Sequence, residues 1–270
     1  MIEADLGARN LHTFLGVPKA DLTLADFVEK HVPQLTDVVT KTPYRGLNLV
    51  AGSHERLFMA NLGYLKKQKL LRHIRGLDEG RTIIDIGGGT AFNCIDFFPI
   101  SDLPVLVINP DPASTENAYQ FLRSVSLRLL KSSIRHFQIE KMIKDAAKSR
   151  EGVPTIPGFL EMIRAHSSEY GELLTAGLDR FRPCLIVNRL RTEDDAVLGT
   201  SMVHLVKKYL GVNINFLGAV PNDDSVPYSL KSMTPYVFAH PNSKTTYALK
   251  VIADRMLLCK ATVGQRRSAS

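Results

Sequence analysis

The sequence predicts an α/β fold built on a doubly wound, mostly parallel sheet. Short runs of apolar and β-branched residues alternate along the chain with longer segments that have helical periodicity. Each short run is almost continuously apolar, which is the pattern of strands covered on both faces. Alternation of such strands with helices is typical of β-α-β units. The five predicted strands cover residues 47–51, 82–86, 105–109, 184–188 and 214–220.

Helices are predicted between these strands, over residues 56–75, 115–130, 194–210 and 243–258. The remaining stretch, at about 131–182, is too long for one crossover. It contains helical periodicity that is broken at two turns containing proline. We therefore expect two or three extra helices there, forming an insert on one side of the sheet.

Composition excludes several classes of protein. The 270 residues are 44% hydrophobic and 23% charged, which is ordinary globular usage and argues against disorder. The sequence contains no run of about 18 apolar residues, so no membrane-spanning helix is predicted. The first residues lack the features of a secretory signal. The three cysteines have no C-x-x-C spacing, which argues against a zinc or iron–sulfur site and favours a reducing cytoplasm.

The chain carries a formal net charge of +7. Basic proteins can bind nucleic acid or anionic lipid. Here the positive residues are spread along the chain, and the densest cluster lies at 66–75 in a predicted helix. We interpret this cluster as a solvated helix surface, with non-specific DNA or a membrane surface as the alternative partner.

Two motifs place carboxylates where a strand is predicted to end. Asp5 precedes a loop that contains glycine, and a carboxylate in that position can lie beside a metal-bound phosphate. Asp85 ends an apolar run and is followed, after Ile86, by Gly87, Gly88 and Gly89. Consecutive glycines let the backbone turn sharply and approach an anion, and ligands of open α/β sheets bind beyond strand ends. The glycine turn is therefore predicted to line a ligand site, with a plain tight turn as the alternative.

Two further strand ends carry groups that suit a purine base. Asn188 ends a predicted strand, and its side-chain amide offers both a donor and an acceptor, as an adenine edge requires. The loop that follows Pro221 can supply backbone groups to the same base. Each of these strand ends is unremarkable by itself.

In this order and spacing, the segments resemble the MinD/ParA-type ATPases, P-loop proteins with a deviant Walker motif. The resemblance is strongest to the FlhG-like branch, which places flagella or division sites, and it covers residues 2 to about 258. It implies that Asp5 and Asn10 belong to the switch I segment, with Asp5 orienting the attacking water. It further implies that Asp85 lies near Mg²⁺ and that residues 87–89 form the switch II turn.

The same resemblance implies the base-binding end of an ATP or ADP site. Asn188 and Arg189 match the adenine-recognising pair, and Pro221 and Asp223 match the loop that closes over the base. The family fold implies one P-loop NTPase-like domain over residues 1–262 and a disordered tail from 263 to 270. The implied function is an ATP-dependent spatial regulator that forms a homodimer and positions flagella, the division site or cargo.

The phosphate-binding part of the sequence departs from the family. No G-K-[ST] motif occurs, and the strand, the glycine-rich loop with two lysines and the helix that precede switch I have no counterpart. Glu3 stands where the family usually has aspartate. A P-loop holds phosphates through backbone N–H groups and lysine, and Mg²⁺ through Ser/Thr. We therefore expect the chain as written to be deficient in ATP hydrolysis, which leaves its status as an enzyme open.

Two explanations of this departure stay open. Either Met1 is a truncated start and the P-loop lies upstream, or the chain is a genuine nucleotide-blind relative. The absent strand is central in the family's sheet, and each of its buried side chains contributes about 1.5–3 kcal/mol. Losing several would consume most of a domain's net stability of about 5–15 kcal/mol. These magnitudes favour the first explanation.

Other functions are also open at this stage. The principal alternative is a non-catalytic pseudo-ATPase scaffold that binds a protein partner through the helices of 131–182. An actin/heat-shock-type ATPase is less favoured, because no Gly-Gly pair follows Thr90 to bind adenosine. The helix predicted at 243–258 is expected to pack on the sheet, with an interfacial membrane anchor as the minority interpretation. The predicted location is cytoplasmic, with peripheral membrane attachment as the alternative.

Overall fold

The computed structural model describes residues 1–5, 10–17, 20–52, 63–77, 80–89, 92–133, 141 and 155–267, with the backbone alone at 64, 92–93 and 260–267. The chain folds into two compact units, each made of two stretches of sequence. The first unit comprises Met1–Cys94 and Asp224–Pro241, and the second comprises Ile95–Asp223 and Asn242–Ser270. The described strands form one hydrogen-bonded sheet in each unit.

The strands are β1 (Ile2–Glu3), β2 (Val39–Lys41), β3 (Asn48–Val50), β4 (Ile84–Asp85), β5 (Val105–Ile108), β6 (Cys184–Leu190) and β7 (Asn215–Pro221). The helices are α1 (Leu11–Phe14), α2 (Leu24–Val28), α3 (Tyr64–Arg75), α4 (Phe92–Phe97), α5 (Pro112–Ser133), α6 (Ile156–His166), α7 (Ser168–Asp179), α8 (Asp194–Leu210), α9 (Val226–Lys231), α10 (Tyr236–Ala239) and α11 (Lys244–Arg267). Two short 3₁₀ turns cover Leu35–Val38 and Phe98–Ile100.

The sheet of the first unit has the strand order β2-β3-β1-β4. Strand β1 runs parallel to both of its neighbours, whereas β2 and β3 are antiparallel. Apolar side chains of this sheet and of helices α2 and α3 are buried, among them Ile2, Leu49, Phe27 and Leu70. Helix α2 packs against α3, and its first turn is closed by a capping box between Thr23 and Asp26.

The sheet of the second unit is fully parallel, in the order β5-β6-β7. Helix α8 packs against β6 and β7, and α11 packs against β7. Helices α6 and α7 pack against each other, and α7 also packs against α5. Helix α8 ends at Gly211, whose φ of +71° supplies the left-handed residue that terminates many helices.

The five strands predicted from apolar runs are all confirmed, as β3 to β7, and the α/β class with mostly parallel pairing is confirmed as well. Strand β2 was not predicted, because three residues that include a lysine give no apolar run. The helix predicted over 56–75 is present from Tyr64, and residues 56–62 lie outside the described part of the chain.

The stretch between α5 and β6 contains α6 and α7, and its residues 134–154, apart from 141, are outside the description. The domain boundaries at 262 and at 131–182 stay predictions. Within the ranges that the structure describes, no helix is both long and apolar enough to cross a membrane.

Candidate functional site

The ends of β1 and β4 lie side by side in the first unit. Glu3 is in register with Asp85, and the Ala4 N–H donates a 2.7 Å hydrogen bond to the Asp85 carbonyl. Parallel neighbours send their following loops to the same sheet edge. The two carboxylate motifs that the sequence separates by eighty residues are therefore brought to one place.

Asp5 lies directly against the glycine turn. A Cβ atom at Gly87 would be 2.6 Å from both carboxylate oxygens of Asp5. The Gly87 N–H donates to Asp85 Oδ1 at 3.2 Å, so the second carboxylate is bonded to the same glycine. Gly87 and Gly89 have φ of +70° and +97°, a region that favours glycine. The turn therefore depends on glycine both for its backbone angles and for the space that Asp5 occupies.

Glu3 holds the surrounding loops in place. Its side chain is only 1% exposed. One carboxylate oxygen accepts from the Leu11 N–H at 2.9 Å and the other from the Gly52 N–H at 3.0 Å, while His12 Nδ1 lies 3.8 Å away. Both oxygens of Glu3 are therefore engaged in joining the start of α1 to the chain after β3. The sequence showed Glu3 only as a departure from a family pattern, and its bracing role depends on contacts that are remote in sequence.

The thiol of Cys94 closes the inner side of the glycine turn. Its Sγ donates to the Ile86 carbonyl at 3.1 Å. Burial raises the pKa of this thiol, and the nearby Asp5 carboxylate raises it further. Cys94 is therefore a neutral packing group at neutral pH and not an activated nucleophile. Asn10, the other residue predicted to belong to switch I, is exposed, and its carbonyl accepts from the Phe14 N–H at the start of α1.

The residues predicted to bind adenine converge in the second unit. Pairing between β6 and β7 is irregular beyond Val187, and Arg189 has a φ of +61°. Leu190 is in register with Pro221, and the Asn222 N–H donates to the Leu190 carbonyl at 2.7 Å. The predicted residues therefore lie at or just after the ends of two adjacent strands. They are Asn188, Arg189, Pro221 and Asp223.

The carbonyl of Pro221 is fixed by α11. The Thr245 hydroxyl donates to it at 3.4 Å, and Thr245 is a buried residue in the first turn of that helix. Asn188 is half-buried and Arg189 is exposed, so both can meet a ligand from solvent. The predicted site residues thus form two groups, with Asp5, Asp85 and residues 87–89 in the first unit and the base-directed residues in the second.

The residues present fit only part of a magnesium–nucleotide site. Carboxylate oxygens such as those of Asp5 and Asp85 are the ligands that Mg²⁺ prefers. However, no three His, Cys, Asp or Glu side chains of the described residues group together as a metal site. The sequence also offers no P-loop lysine or Ser/Thr. In the first unit, the chemistry of the two carboxylates suits Mg²⁺, but the lysine and the Ser/Thr that complete a phosphate-binding loop are absent from this sequence.

A second candidate site is a cleft between α5 and α8, which the sequence analysis missed. The cleft has a volume of about 790 Å³. Its apolar lining includes Leu198, Leu205, Tyr119 and Tyr209. Four acidic residues stand around it, namely Asp111, Glu116, Asp194 and Asp195. Hydrogen bonds from the Arg191 and Thr192 N–H groups lower the pKa of Asp195, so this rim is anionic at neutral pH.

Comparison with known proteins relates the whole chain to one group. No protein-family model matches the chain. The antiactivator FleN of Pseudomonas aeruginosa is 22% identical over 259 residues, which span 95% of this chain and 74% of FleN.

Several solved structures share the fold. The cell division ATPase MinD of Pyrococcus furiosus has a TM-score of 0.59 at 17% identity and covers 94% of this chain and 82% of its own. The septum site-determining protein MinD of Pyrococcus horikoshii, complexed with Mg-ADP, has a TM-score of 0.57 at 18% identity, over 94% and 81% of the two chains. A chain of the MinC:MinD cell division protein complex of Aquifex aeolicus has a TM-score of 0.55 at 17% identity, over 95% of this chain and 81% of its own.

Proposed function

We propose, from the MinD/ParA-type ATPase fold of this chain and its distant homology to FleN, that the protein is a nucleotide-responsive spatial regulator. In this role it would act on the placement of flagella, on cell division or on the positioning of cargo. The observation that carries the proposal is the contact between the Asp5 carboxylate and the Gly87 turn, beside Asp85. That contact joins three residues whose roles the family resemblance implies.

Each residue has a proposed part in nucleotide binding. In the first unit, Asp85 would help to hold Mg²⁺, residues 87–89 would approach the phosphates, and Asp5 would position water. Asn188 and Arg189 bind the base edge, and the segment from Pro221 to Asp223 covers it. The phosphate grip is incomplete in this sequence, so we propose weak nucleotide binding and no appreciable hydrolysis by the chain as written. Two copies are proposed to associate when nucleotide is bound.

Titration of the 270-residue protein with a fluorescent ATP analogue and Mg²⁺ tests this proposal. We expect a Kd of about 1 mM, equivalent to about −4 kcal/mol, and no phosphate release above background. Asp85→Asn and Asn188→Ala should each weaken binding, whereas Asp21→Asn, an exposed aspartate of the first unit, should not. Sedimentation with and without nucleotide measures the expected association of two copies.

The possible results separate the hypotheses. Micromolar affinity would contradict the requirement for a P-loop. Saturable millimolar binding that both site variants weaken would support the proposed site. Absence of saturable binding up to about 10 mM nucleotide, with the fold intact, would reject the nucleotide-responsive function and leave the scaffold as the better account.

A non-catalytic scaffold is the second candidate, and the cleft between α5 and α8 favours it. Leu205 and Tyr209 are exposed apolar side chains of this cleft, and its rim is acidic. We propose that the occupant is a protein segment whose apolar side chains are flanked by Lys or Arg. Its apolar side chains would contact the apolar lining of the cleft, and its positive charges would face the acidic rim. The earlier prediction of a partner surface on the helices of 131–182 stays a prediction.

A pair of model peptides tests the scaffold. A helical peptide of leucine and lysine should bind, and one of leucine and glutamate of the same length should not. Glu116→Lys with Asp194→Lys should weaken binding of the first peptide, while Glu169→Lys with Glu172→Lys on α7 provides a control of equal charge. Equal effects of the two double variants would rule out the cleft as the docking site.

A further inference from the structure

Two cysteines that are distant in sequence meet beneath the C-terminal helix. Cys184 is the first residue of β6, and its side chain is 0% exposed. Cys259 lies on α11 and packs against the core cluster formed by Cys184, Leu217, Val220 and Ile252. The helix therefore carries one thiol onto the strand end that carries the other.

The register of β6 with β7 and the lining of a nearby cleft both place Cys259 near Cys184. The residue paired with Cys184 on β7 is Asn215. Asn215 and Cys259 line the same cleft of about 490 Å³, between α8, β7 and α11. Cys259 packs against the buried cluster that contains Cys184, so it lies beside the strand position that is paired with Cys184. One thiol of the pair is therefore enclosed, and the other can be reached from the cleft by a small molecule.

We propose that Cys184 and Cys259 are a reversible oxidation site, in which a peroxide oxidises Cys259 and the two residues then form a disulfide that fixes α11 to β6. The site requires no nucleotide and is independent of the function proposed above. Its substrate class is a small peroxide, and its product is an internal crosslink between a strand end and the C-terminal helix.

The chemistry balances in two steps. The Cys259 sulfur attacks a peroxide oxygen, the O–O bond breaks, and one water leaves, which produces a sulfenic acid. The Cys184 sulfur then attacks the Cys259 sulfur, the S–O bond breaks as the S–S bond forms, and a second water leaves. Two thiols together lose two electrons, and one hydrogen peroxide is reduced to two waters. A dithiol reductant reverses the change by thiol–disulfide exchange.

The environment of each thiol assigns the order of the steps. Burial, followed by the neighbouring Cys259 thiol, raises the pKa of Cys184 to about 12. A thiol with that pKa is almost entirely protonated at neutral pH and is a slow first nucleophile. Cys259 is half-exposed beside the cleft, so it meets the oxidant first. Cys184 acts second, because contact with the sulfenic acid gives it a high effective concentration.

Disulfide formation is expected to fix the C-terminal helix. Backbone amides near the end of a helix exchange with solvent through local opening. A covalent bond from Cys259 to the buried end of β6 would oppose that opening. Amides of α11 near Cys259 should then exchange about tenfold more slowly in the oxidised protein.

Peptide mapping of the oxidised full chain is the direct test. The protein is treated with hydrogen peroxide, alkylated, digested with trypsin and analysed by mass spectrometry without reduction. Trypsin releases Cys184 within residues 181–189 and Cys259 within residues 256–260. We expect these two peptides to be linked, with the free thiols falling from three to one and Cys94 remaining alkylated. Dithiothreitol should restore all three.

Variants make the test specific. Cys259→Ser should abolish the linked peptide and leave two free thiols. Cys184→Ala should also abolish it but should accumulate a Cys259 sulfenic acid that dimedone traps. Cys94→Ser is the control and should crosslink as the wild type does.

The closing step should also accelerate about tenfold for each pH unit between pH 7 and 9, because Cys184 reacts as the thiolate. Peroxide treatment of protein with an unchanged circular dichroism spectrum that yields no 181–189/256–260 link would overturn the proposal. So would a link that involves Cys94 or forms only between two copies of the chain.

Discussion

At Gly87 two separate constraints exclude a side chain. The backbone φ of +70° is one that L-residues rarely adopt, and the Asp5 carboxylate occupies the position of a Cβ. Gly88 is under neither constraint, since its φ is outside that region and a Cβ there would meet no atom of the described residues within 4 Å. Gly87 and Gly88 are therefore adjacent in sequence but differ in whether the structure can accept a side chain.

Replacing Gly87 by alanine should destabilise the protein by about 1–3 kcal/mol, because both the backbone and the Asp5 contact become strained. Gly88→Ala is the matched control and should change stability by less than about 0.5 kcal/mol. Urea unfolding followed by circular dichroism measures both differences. Equal effects would show that Asp5 does not press against the turn as described.

In two helices, a single residue decides a local feature: the start of α2 and the face of α8 that packs on the sheet. In α2, the Asp26 carboxylate accepts from the Thr23 N–H and the Thr23 hydroxyl, each at 2.8 Å. In α8, Gly199 lies against the Phe216 ring of β7, and a Cβ there would come within 2.5 Å of that ring. The first contact caps the start of a helix, and the second sets how closely a helix approaches its sheet.

The capping box of α2 should make stability depend on pH. Burial by itself raises the pKa of Asp26, but hydrogen bonds from Thr23 and the nearby His31 together hold the pKa below its usual value. A depressed folded-state pKa adds stability that is fully present above the unfolded pKa of about 3.9 and is lost as pH falls through the folded value.

The stability difference between the wild type and Asp26→Asn should therefore be largest near pH 6 and shrink towards pH 3. Urea midpoints measured at half-unit intervals test this, with Asp21→Asn as the control. A difference that is constant over the whole range would mean that the Asp26 cap contributes no ionised hydrogen bonds.

Two glycines in helices of the second unit should respond in opposite ways to alanine. Gly199→Ala should destabilise by about 1–3 kcal/mol, because α8 would have to move away from the Phe216 ring. Gly177→Ala on α7 places its Cβ 3.4 Å from the Ser133 hydroxyl, an ordinary contact. Alanine there should be neutral or stabilising by up to about 1 kcal/mol, through helix propensity. Thermal and urea unfolding of the two variants would reveal a reversed order if the α8–β7 contact were loose.

Charge is the property that belongs to the whole molecule. The net charge is +7, and its positive residues are distributed over both units. Helix α3 carries exposed Lys66, Arg72 and Arg75, but exposed lysines also occur on α11. Binding to DNA by a dispersed charge is non-specific, and it weakens as salt rises.

We therefore expect charge reversal on α3 to have no special effect on DNA binding. Lys66→Glu with Arg72→Glu, and Lys244→Glu with Lys250→Glu on α11, each lower the net charge by four. The two variants should reduce affinity for a fluorescent DNA duplex by factors that agree within about twofold, at several salt concentrations. A much larger loss for the α3 variant would identify that helix as a DNA-binding surface.

The elements that could be predicted from the sequence are those with a local pattern of apolar residues. Strands β3 to β7 were predictable because their apolar runs are visible within a few residues. Strand β1 contributes only Ile2 and Glu3 and leaves no such run, although it lies between β3 and β4. The candidate site was predictable as separate strand ends, whereas the contact of Asp5 with Gly87 required the strand order.

The pattern of apolar residues by itself determined the α/β class and the strands that carry Asp85 and Asn188. The absence of a G-K-[ST] motif is read directly from the amino-acid sequence. Only the tertiary structure decided that Glu3 is a buried brace, that α5 and α8 enclose an acidic-rimmed cleft, and that Cys184 meets Cys259. The physical reason is the range of the interactions. Periodicity reports whether a segment can bury one face, but which faces meet depends on hydrogen-bond register and packing between segments far apart in the chain.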